Sequence, residues 1–241
     1  MIVYFSGTGN TYHAARTVAA VTGDELYRIG FDDVPTSDSV IGIFSPVYFY
    51  GLPADVIECL KGIKASGAEY VYLFLTCGGS DGMAAKSASK YLGRLDAVYD
   101  AMMPDNYIKA YDVPSQDRIA KLLCSADFEI AGAAEKIKSL ARGDFRCHAG
   151  GEMLYLALRP LYKPLGRQTS CFETTDSCIG CGECVANCPS HAILMRCGKP
   201  VWIKQYCSGC LGCINRCPER AIQCGVSTKK RGRYIHPDYK E

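Results

Sequence analysis

Little in the 241-residue chain ties it to a membrane or to nucleic acid. Its longest nearly apolar run, Met153–Tyr162, is broken by Arg159 and Pro160 and is too short to cross a bilayer. The opening MIVYF runs straight into a glycine loop with no basic stretch before it, so no secretory leader is expected and the cytoplasm is the expected compartment. The net charge is only +2, which creates no field for holding a polyanion as the main partner. Histidine is scarce, with His13, His148, His191 and His236 the complete set. General acid–base chemistry therefore has few candidates, and no catalytic pair stands out. His13, just inside the first predicted helix, reads as a helix surface residue.

What the chain has in excess is cysteine: fifteen residues, most of them between Cys147 and Cys224. Without a leader, such density argues for metal or redox chemistry rather than a disulfide framework. Two segments, CIGCGECVANCPSHAI (178–193) and CSGCLGCINRCPERAI (207–222), align without a gap at a period of 29. Each reads Cys-x2-Cys-x2-Cys-x3-Cys-Pro, the bacterial ferredoxin run, in which three close thiolates hold one cubane and the fourth crosses to the other. The expected ligands are Cys178, Cys181, Cys184 and Cys217 for one [4Fe-4S] cluster, and Cys207, Cys210, Cys213 and Cys188 for the second. Structural zinc uses separated Cys-x2-Cys pairs and needs neither the duplicated tandem nor the proline. The other seven cysteines, Cys59, Cys77, Cys124, Cys147, Cys171, Cys197 and Cys224, lack this spacing and are expected mostly to be small buried apolar residues.

Upstream, short β-rich runs alternate with segments at helical spacing. Strands are expected at 2–5, 25–29, 39–45, 70–76 and 97–103, with helices at 11–21, 53–63, 82–95 and 115–143. Nearly continuous apolar strands separated by helices predict a doubly wound α/β domain on a five-stranded parallel sheet. The expected units are residues 1–145 for this domain, a connector at 146–172, a small α+β cluster domain at 173–226 and a basic tail at 227–241. The connector's amphipathic piece is expected to pack on its own domains rather than on a membrane. The run KKRGR (229–233) reads as a solvated charge patch.

The loop SGTGNT (6–11) has Tyr12 where a dinucleotide fingerprint wants its third small residue, and no Gly-Lys-Ser/Thr follows. It matches the [Ser/Thr]-x-[Ser/Thr]-Gly-x-Thr pattern that joins the first strand to the first helix in flavodoxins. The N-terminal part thus resembles the flavodoxin family. The chain as a whole resembles the flavodoxin–ferredoxin fusion proteins, or EFR-type ferrodoxins, of anaerobic bacteria and archaea.

The resemblance implies a flavodoxin-like sheet binding FMN at the carboxyl ends of strands 1 and 3, followed by a 2[4Fe-4S] ferredoxin domain. The FMN phosphate would rest on the amides of Gly7, Thr8, Gly9 and Asn10 and on the hydroxyls of Ser6, Thr8 and Thr11, at the positive end of the first helix. Two further loops would complete the pocket: Pro46, Val47, Tyr48, Phe49, Tyr50 and Gly51 after strand 3, and Thr76, Cys77, Gly78 and Gly79 after strand 4. One of the three aromatic rings is a candidate to stack on the isoalloxazine, though each is equally a candidate core residue. Cys77 reads as an inert loop residue more readily than as a redox thiol. The loop after strand 4 offers no second flanking aromatic, and PDNY (104–107) is a candidate to line the open side.

The resulting expectation is an electron-transfer protein linking a one-electron carrier, such as a ferredoxin-like partner, through two clusters to FMN. Two alternatives stand beside it: an FMN-dependent reductase of a small substrate, and an iron–sulfur redox sensor.

Overall fold

Runs of β-branched and aromatic residues form five parallel strands: β1 (Ile2–Tyr4), β2 (Leu26–Arg28), β3 (Val40–Pro46), β4 (Tyr70–Cys77) and β5 (Ala97–Met102). The structure, a computed structural model, describes residues 1–239; Lys240 and Glu241, the end of the expected tail, lie outside them. The strand order is β2-β1-β3-β4-β5, followed at the edge by β6 (Gly143–Asp144). The sheet therefore has six strands where five were expected. Both β6 residues are exposed and carry no apolar pattern, so the strand is held by its backbone, with Gly143 N–H donating to Asp96 O at 2.9 Å.

Alternate residues of each strand face opposite layers. One face, with Val3, Phe5, Ile43 and Leu73, is covered by α2 (Ala54–Gly62) and α3 (Ala84–Leu92). The other, with Tyr4, Phe44, Tyr72 and Phe74, is covered by α1 (Asn10–Thr22) and α4 (Gln116–Lys138). Central β4 is buried along its whole length, as a strand covered on both faces must be.

The connector is ordered. Asp100 accepts the Cys147 and His148 amides, each at 2.8 Å, and buried Asp81 accepts the Gly150 amide and pairs with Arg146. The chain then forms α5 (Glu152–Leu161), which docks through Arg159 onto the carbonyls of Tyr48 and Leu52 at 2.9 and 2.7 Å. Its apolar residues on the far side, among them Met153 at 78% exposure, remain in solvent. Among the described residues no helix is long and apolar enough to cross a membrane.

The C-terminal unit pairs β7 (Phe172–Thr174) with β10 (Ile222–Cys224) and β8 (Ile193–Arg196) with β9 (Lys199–Trp202), each antiparallel. Short helices α6 (Glu183–Ala186) and α7 (Gly212–Arg216) carry the third cysteine of each repeat. Ile108, from the loop after β5, is buried in this unit's core.

The expectation for the spare cysteines needs correcting. Cys171 and Cys224 form a disulfide, while Cys124, Cys147 and Cys197 are exposed. Of the remaining two, Cys77 is buried and Cys59 half-buried. The tail is not simply solvated either: Lys229 and Lys230 are exposed, but Tyr234, His236 and Tyr239 are buried.

Candidate cofactor sites

Parallel strands direct their carboxyl ends to one edge, and the strand order reverses beside β1, leaving a crevice there. It is a cavity of about 630 Å³ bordered by the loops that follow β1, β3, β4 and β5. Every residue of the three predicted flavin loops lines it except Gly9 and Gly51. A Cβ on Gly9 would instead meet the tail, at 2.5 Å from the Tyr239 Cβ, and one on Gly51 would meet α5, at 3.0 Å from Arg159 Nη1.

The floor of the cavity suits an anion. The amides of Gly7 and Thr8 find no acceptor among the described residues, and Asn10 and Thr11 open α1, where amides have no intrahelical partner. Gly9 caps that helix at φ 101°, a left-handed conformation that glycine adopts without cost. Ser6 Oγ accepts the Gly9 amide at 3.0 Å, and the hydroxyls of Thr11 and Thr76 are 2.7 Å apart. The Thr8 hydroxyl already accepts from Asn106 Nδ2. Asn10 turns its side chain away to hold Pro104 O and the Tyr234 hydroxyl, at 2.9 and 2.7 Å.

The aromatic turn after β3 is tight. Tyr48 and Gly51 exchange both backbone hydrogen bonds, at 2.8 and 3.1 Å, which places Phe49 and Tyr50 at φ 50° and 59°. Bulky residues in this region cost roughly 1–2 kcal/mol each, so the turn is held by its surroundings. Met83 N–H donates to Tyr50 O at 2.9 Å, and the Phe49 ring packs 5.5 Å from both Tyr107 and Tyr162.

The loop after β4 brings no aromatic ring to the cavity; besides Tyr48, Phe49 and Tyr50 its aromatic lining is Tyr107, within the anticipated PDNY, and two rings the sequence did not point to, Tyr111 from the segment after β5 and Tyr162 from the connector. PDNY lines the cavity as anticipated. Burial pushes the Cys77 thiol up to about 12, which keeps it protonated and matches the inert reading.

The eight repeat cysteines all lie in the C-terminal unit. Cys178, Cys181, Cys184 and Cys217 surround a small cavity of their own. Burial first, then the neighbouring Cys181, Cys217 and Cys178 thiols, pushes Cys184 up to about 11. Burial followed by Cys207 and Cys188 pushes Cys210 up to about 12, and Cys213 is raised well above the usual thiol value by burial and by Cys210, Cys207, Cys188 and Cys184. Among the described residues, no three of these sulfurs lie within 4.8 Å of one another.

The tail crosses the back of the phosphate loop. His236 N–H donates to Thr8 O at 2.8 Å, and the His236 ring stacks on His13 with 4.2 Å between centroids. His13 is therefore buried rather than a surface residue, and its Nε2 lies 2.7 Å from Asp127. Asp238 Oδ2 lies 3.3 Å from His13 Nδ1. His13, His236 and Asp238 each offer one ligand atom, and these atoms lie within 4.8 Å of one another. Tyr239 lies under the Arg216 guanidinium at 4.0 Å, and Arg216 Nε donates to Gly7 O at 3.3 Å.

Residues 177–222 match the 4Fe-4S dicluster domain family. No curated protein matches the chain. Solved structures similar to parts of it include a Bacteroides eggerthii protein described as a flavoprotein, 22% identical over 41% of this chain and 83% of that one, at a TM-score of 0.34. Rubredoxin oxygen:oxidoreductase from Desulfovibrio gigas is 20% identical over 58% of this chain and 36% of that one, at 0.34. The Trp repressor binding protein of Bacillus subtilis is 12% identical over 59% and 98%, at 0.35. The strand order is that of a flavodoxin-like doubly wound sheet, and the segment 177–222 beyond it is similar to the 4Fe-4S dicluster domain family, which supports a redox role.

Proposed function

We propose that the protein is an electron carrier holding two [4Fe-4S] clusters and one FMN, which passes electrons between an external one-electron carrier and a redox partner. The observation that carries this reading is the meeting of the two sites: Gly209, between two cysteines of the second repeat, lines the same cavity as the phosphate loop. The proposed ligands are Cys178, Cys181, Cys184 and Cys217 for one cluster and Cys188, Cys207, Cys210 and Cys213 for the other. When bound, the clusters supply one-electron chemistry and the flavin links it to two-electron chemistry.

The protein's own part is to bind and position. Gly7 and Thr8 offer amides to a terminal phosphate, and Ser6 and Thr11 offer hydroxyls beside them. Tyr48, Phe49 and Tyr50 bound the ring site from one side, and Tyr107 and Tyr162 close it from another. A single anchored phosphate suits FMN, since the loop lacks the third small residue of a dinucleotide site. The proposed units are the flavin domain at 1–145 and the cluster domain at 173–226, clamped by the connector and the tail.

Anaerobic purification followed by iron, sulfide and flavin analysis tests the reading. About eight irons and one FMN per chain are expected; zinc without sulfide overturns it. A screen of small oxidants against the reduced protein separates carrier from enzyme, and rapid selective turnover of one compound would make it a reductase.

A further inference from the structure

The two repeat copies share their ligand spacing but not their surroundings. In the first copy Ile179, Gly180 and Cys181 are exposed, with Ile179 at 65%, and no residue of the α/β domain borders that quartet's cavity. In the second copy Ser208, Gly209, Leu211 and Gly212 are all buried. Of these, Gly209 lines the cavity and Gly212 lies against Gly7, while Leu211 is buried in the cluster unit's own core. A Cβ on Gly7 would lie 2.7 Å from Cys210 O and 2.9 Å from Cys210 Cβ. Tyr48, which lines the cavity, packs in the same apolar layer as Cys210. The Tyr162 hydroxyl, on the cavity's far wall, donates to Ser208 O at 2.7 Å.

One sequence difference between the copies follows from this placement. Gly212 stands where the first copy has Glu183, and a Cβ there would lie 2.9 Å from Gly7 O, so the second copy has no room for a side chain at that position. Gly209, which matches Gly180 of the first copy, lies close to the connector: a Cβ on it would lie 2.5 Å from Gly166 O.

We infer that the two cluster sites have fixed and different places in the relay: the Cys188–Cys207–Cys210–Cys213 site exchanges electrons with the flavin, and the Cys178–Cys181–Cys184–Cys217 site is the port to the external carrier. The inference rests on the proposed cofactor content. Tunnelling falls off exponentially with distance, and the second site is the one whose Gly209 lines the cavity and whose Cys210 packs in the same layer as Tyr48, so it dominates exchange with the flavin. In the reducing direction, two equivalents of a one-electron donor are each oxidised by one electron at the exposed site. The two electrons pass singly through the buried site, and with two protons from water they convert oxidised flavin to dihydroflavin.

The test uses the full chain with its cofactors and reads the flavin's EPR power saturation while the clusters are reduced, since a nearby paramagnetic cluster speeds flavin spin relaxation. Cys210→Ala should abolish that enhancement and Cys181→Ala should leave it, each variant retaining about four irons. The reverse pattern, or equal losses, overturns the order. Should a ligand variant fail to fold, the non-ligand pair decides: Gly212→Glu should diminish the enhancement at full iron and flavin content, while Glu183→Gly should not. Equal behaviour of that pair also overturns the order. Failure of the cofactor reading shows separately, as missing iron or flavin in the unsubstituted protein.

Discussion

Replacing Tyr239 with alanine probes whether the tail is a working part of the phosphate site. Its ring is 9% exposed, lies 4.0 Å beneath the Arg216 guanidinium carbon and packs 5.3 Å from the Tyr12 ring. Its hydroxyl accepts from Arg28 at 3.2 Å. A desolvated cation–π contact contributes about 2 kcal/mol and a tilted ring pair about 1. Water can refill a site so near the chain's end, so the full ~3–5 kcal/mol of a core aromatic deletion is too much. A loss of about 2–3 kcal/mol in tail closure raises the open population roughly 30- to 150-fold. Hydrogen exchange read by mass spectrometry should show this as lost protection at the His236 amide, which donates to Thr8 O, and in the first turn of α1. The β4 amides should not change. FMN affinity of the flavin-free protein should fall in parallel, because the tail braces the back of the loop that carries the phosphate amides. Unchanged exchange in Tyr239→Ala would refute the bracing role, and altered exchange with unchanged FMN affinity would refute the coupling.

Burial, then the neighbouring His13 charge, lowers His236 to about 4 from 6.5, with Asp238 and Asp127 opposing and Arg16 adding to the lowering. A depressed histidine stabilises the closed tail fully above pH 6.5 and loses that contribution as pH falls toward 4; protection of the tail amides, relative to the free-amide rate at each pH, should fall across that window in the native protein and fall less in His236→Phe. A Cβ on Gly42 would lie 2.4 Å from the Tyr72 ring carbon Cζ, so Gly42→Ala should overpack the sheet face. The cost is about 1–3 kcal/mol, read as a lower thermal midpoint, and an unchanged midpoint would show that the Tyr72 ring can move aside. Tyr72→Phe should be neutral or stabilising by calorimetry, because the buried Tyr72 hydroxyl has no hydrogen-bond partner; a clear loss would reveal one.

The most legible parts of this protein in its sequence were those whose geometry is local. Cluster ligation needs thiols at short fixed intervals, so the repeat was legible without the fold, and four of its cysteines, Cys178, Cys181, Cys184 and Cys217, border one small cavity. The phosphate loop was equally local, since its strand, glycine turn and helix start are contiguous. Long-range devices left weaker traces. The strand Gly143–Asp144 carries no apolar signal because it pairs by backbone alone. The Phe49–Tyr50 turn lacks the Asn or Gly that marks such turns, because packing rather than local preference holds it. His13 looked like a surface residue because nothing near it in sequence foretells a partner more than two hundred positions away.

The same distinction explains how the cluster domain is attached. A flexible tether would let its separation from the flavin site vary, whereas here the chain is held on both sides of the domain. Before it, Asp100 and Asp81 pin residues 146–150, Arg159 grips the Tyr48 and Leu52 carbonyls, and the Tyr162 hydroxyl reaches Ser208 O. After it, Tyr234 holds Asn10 and His236 holds Thr8 O. Cys210 sits between the two clamps, against Gly7. Loosening either clamp opens a path for the domain to tilt, but only loosening both frees it to leave. Single clamp variants should therefore keep both cofactor sites while changing the rate between them. A combined Arg159→Ala and Tyr239→Ala protein should lose more than the sum of the two, since each clamp limits how far release of the other can move Cys210 from Gly7.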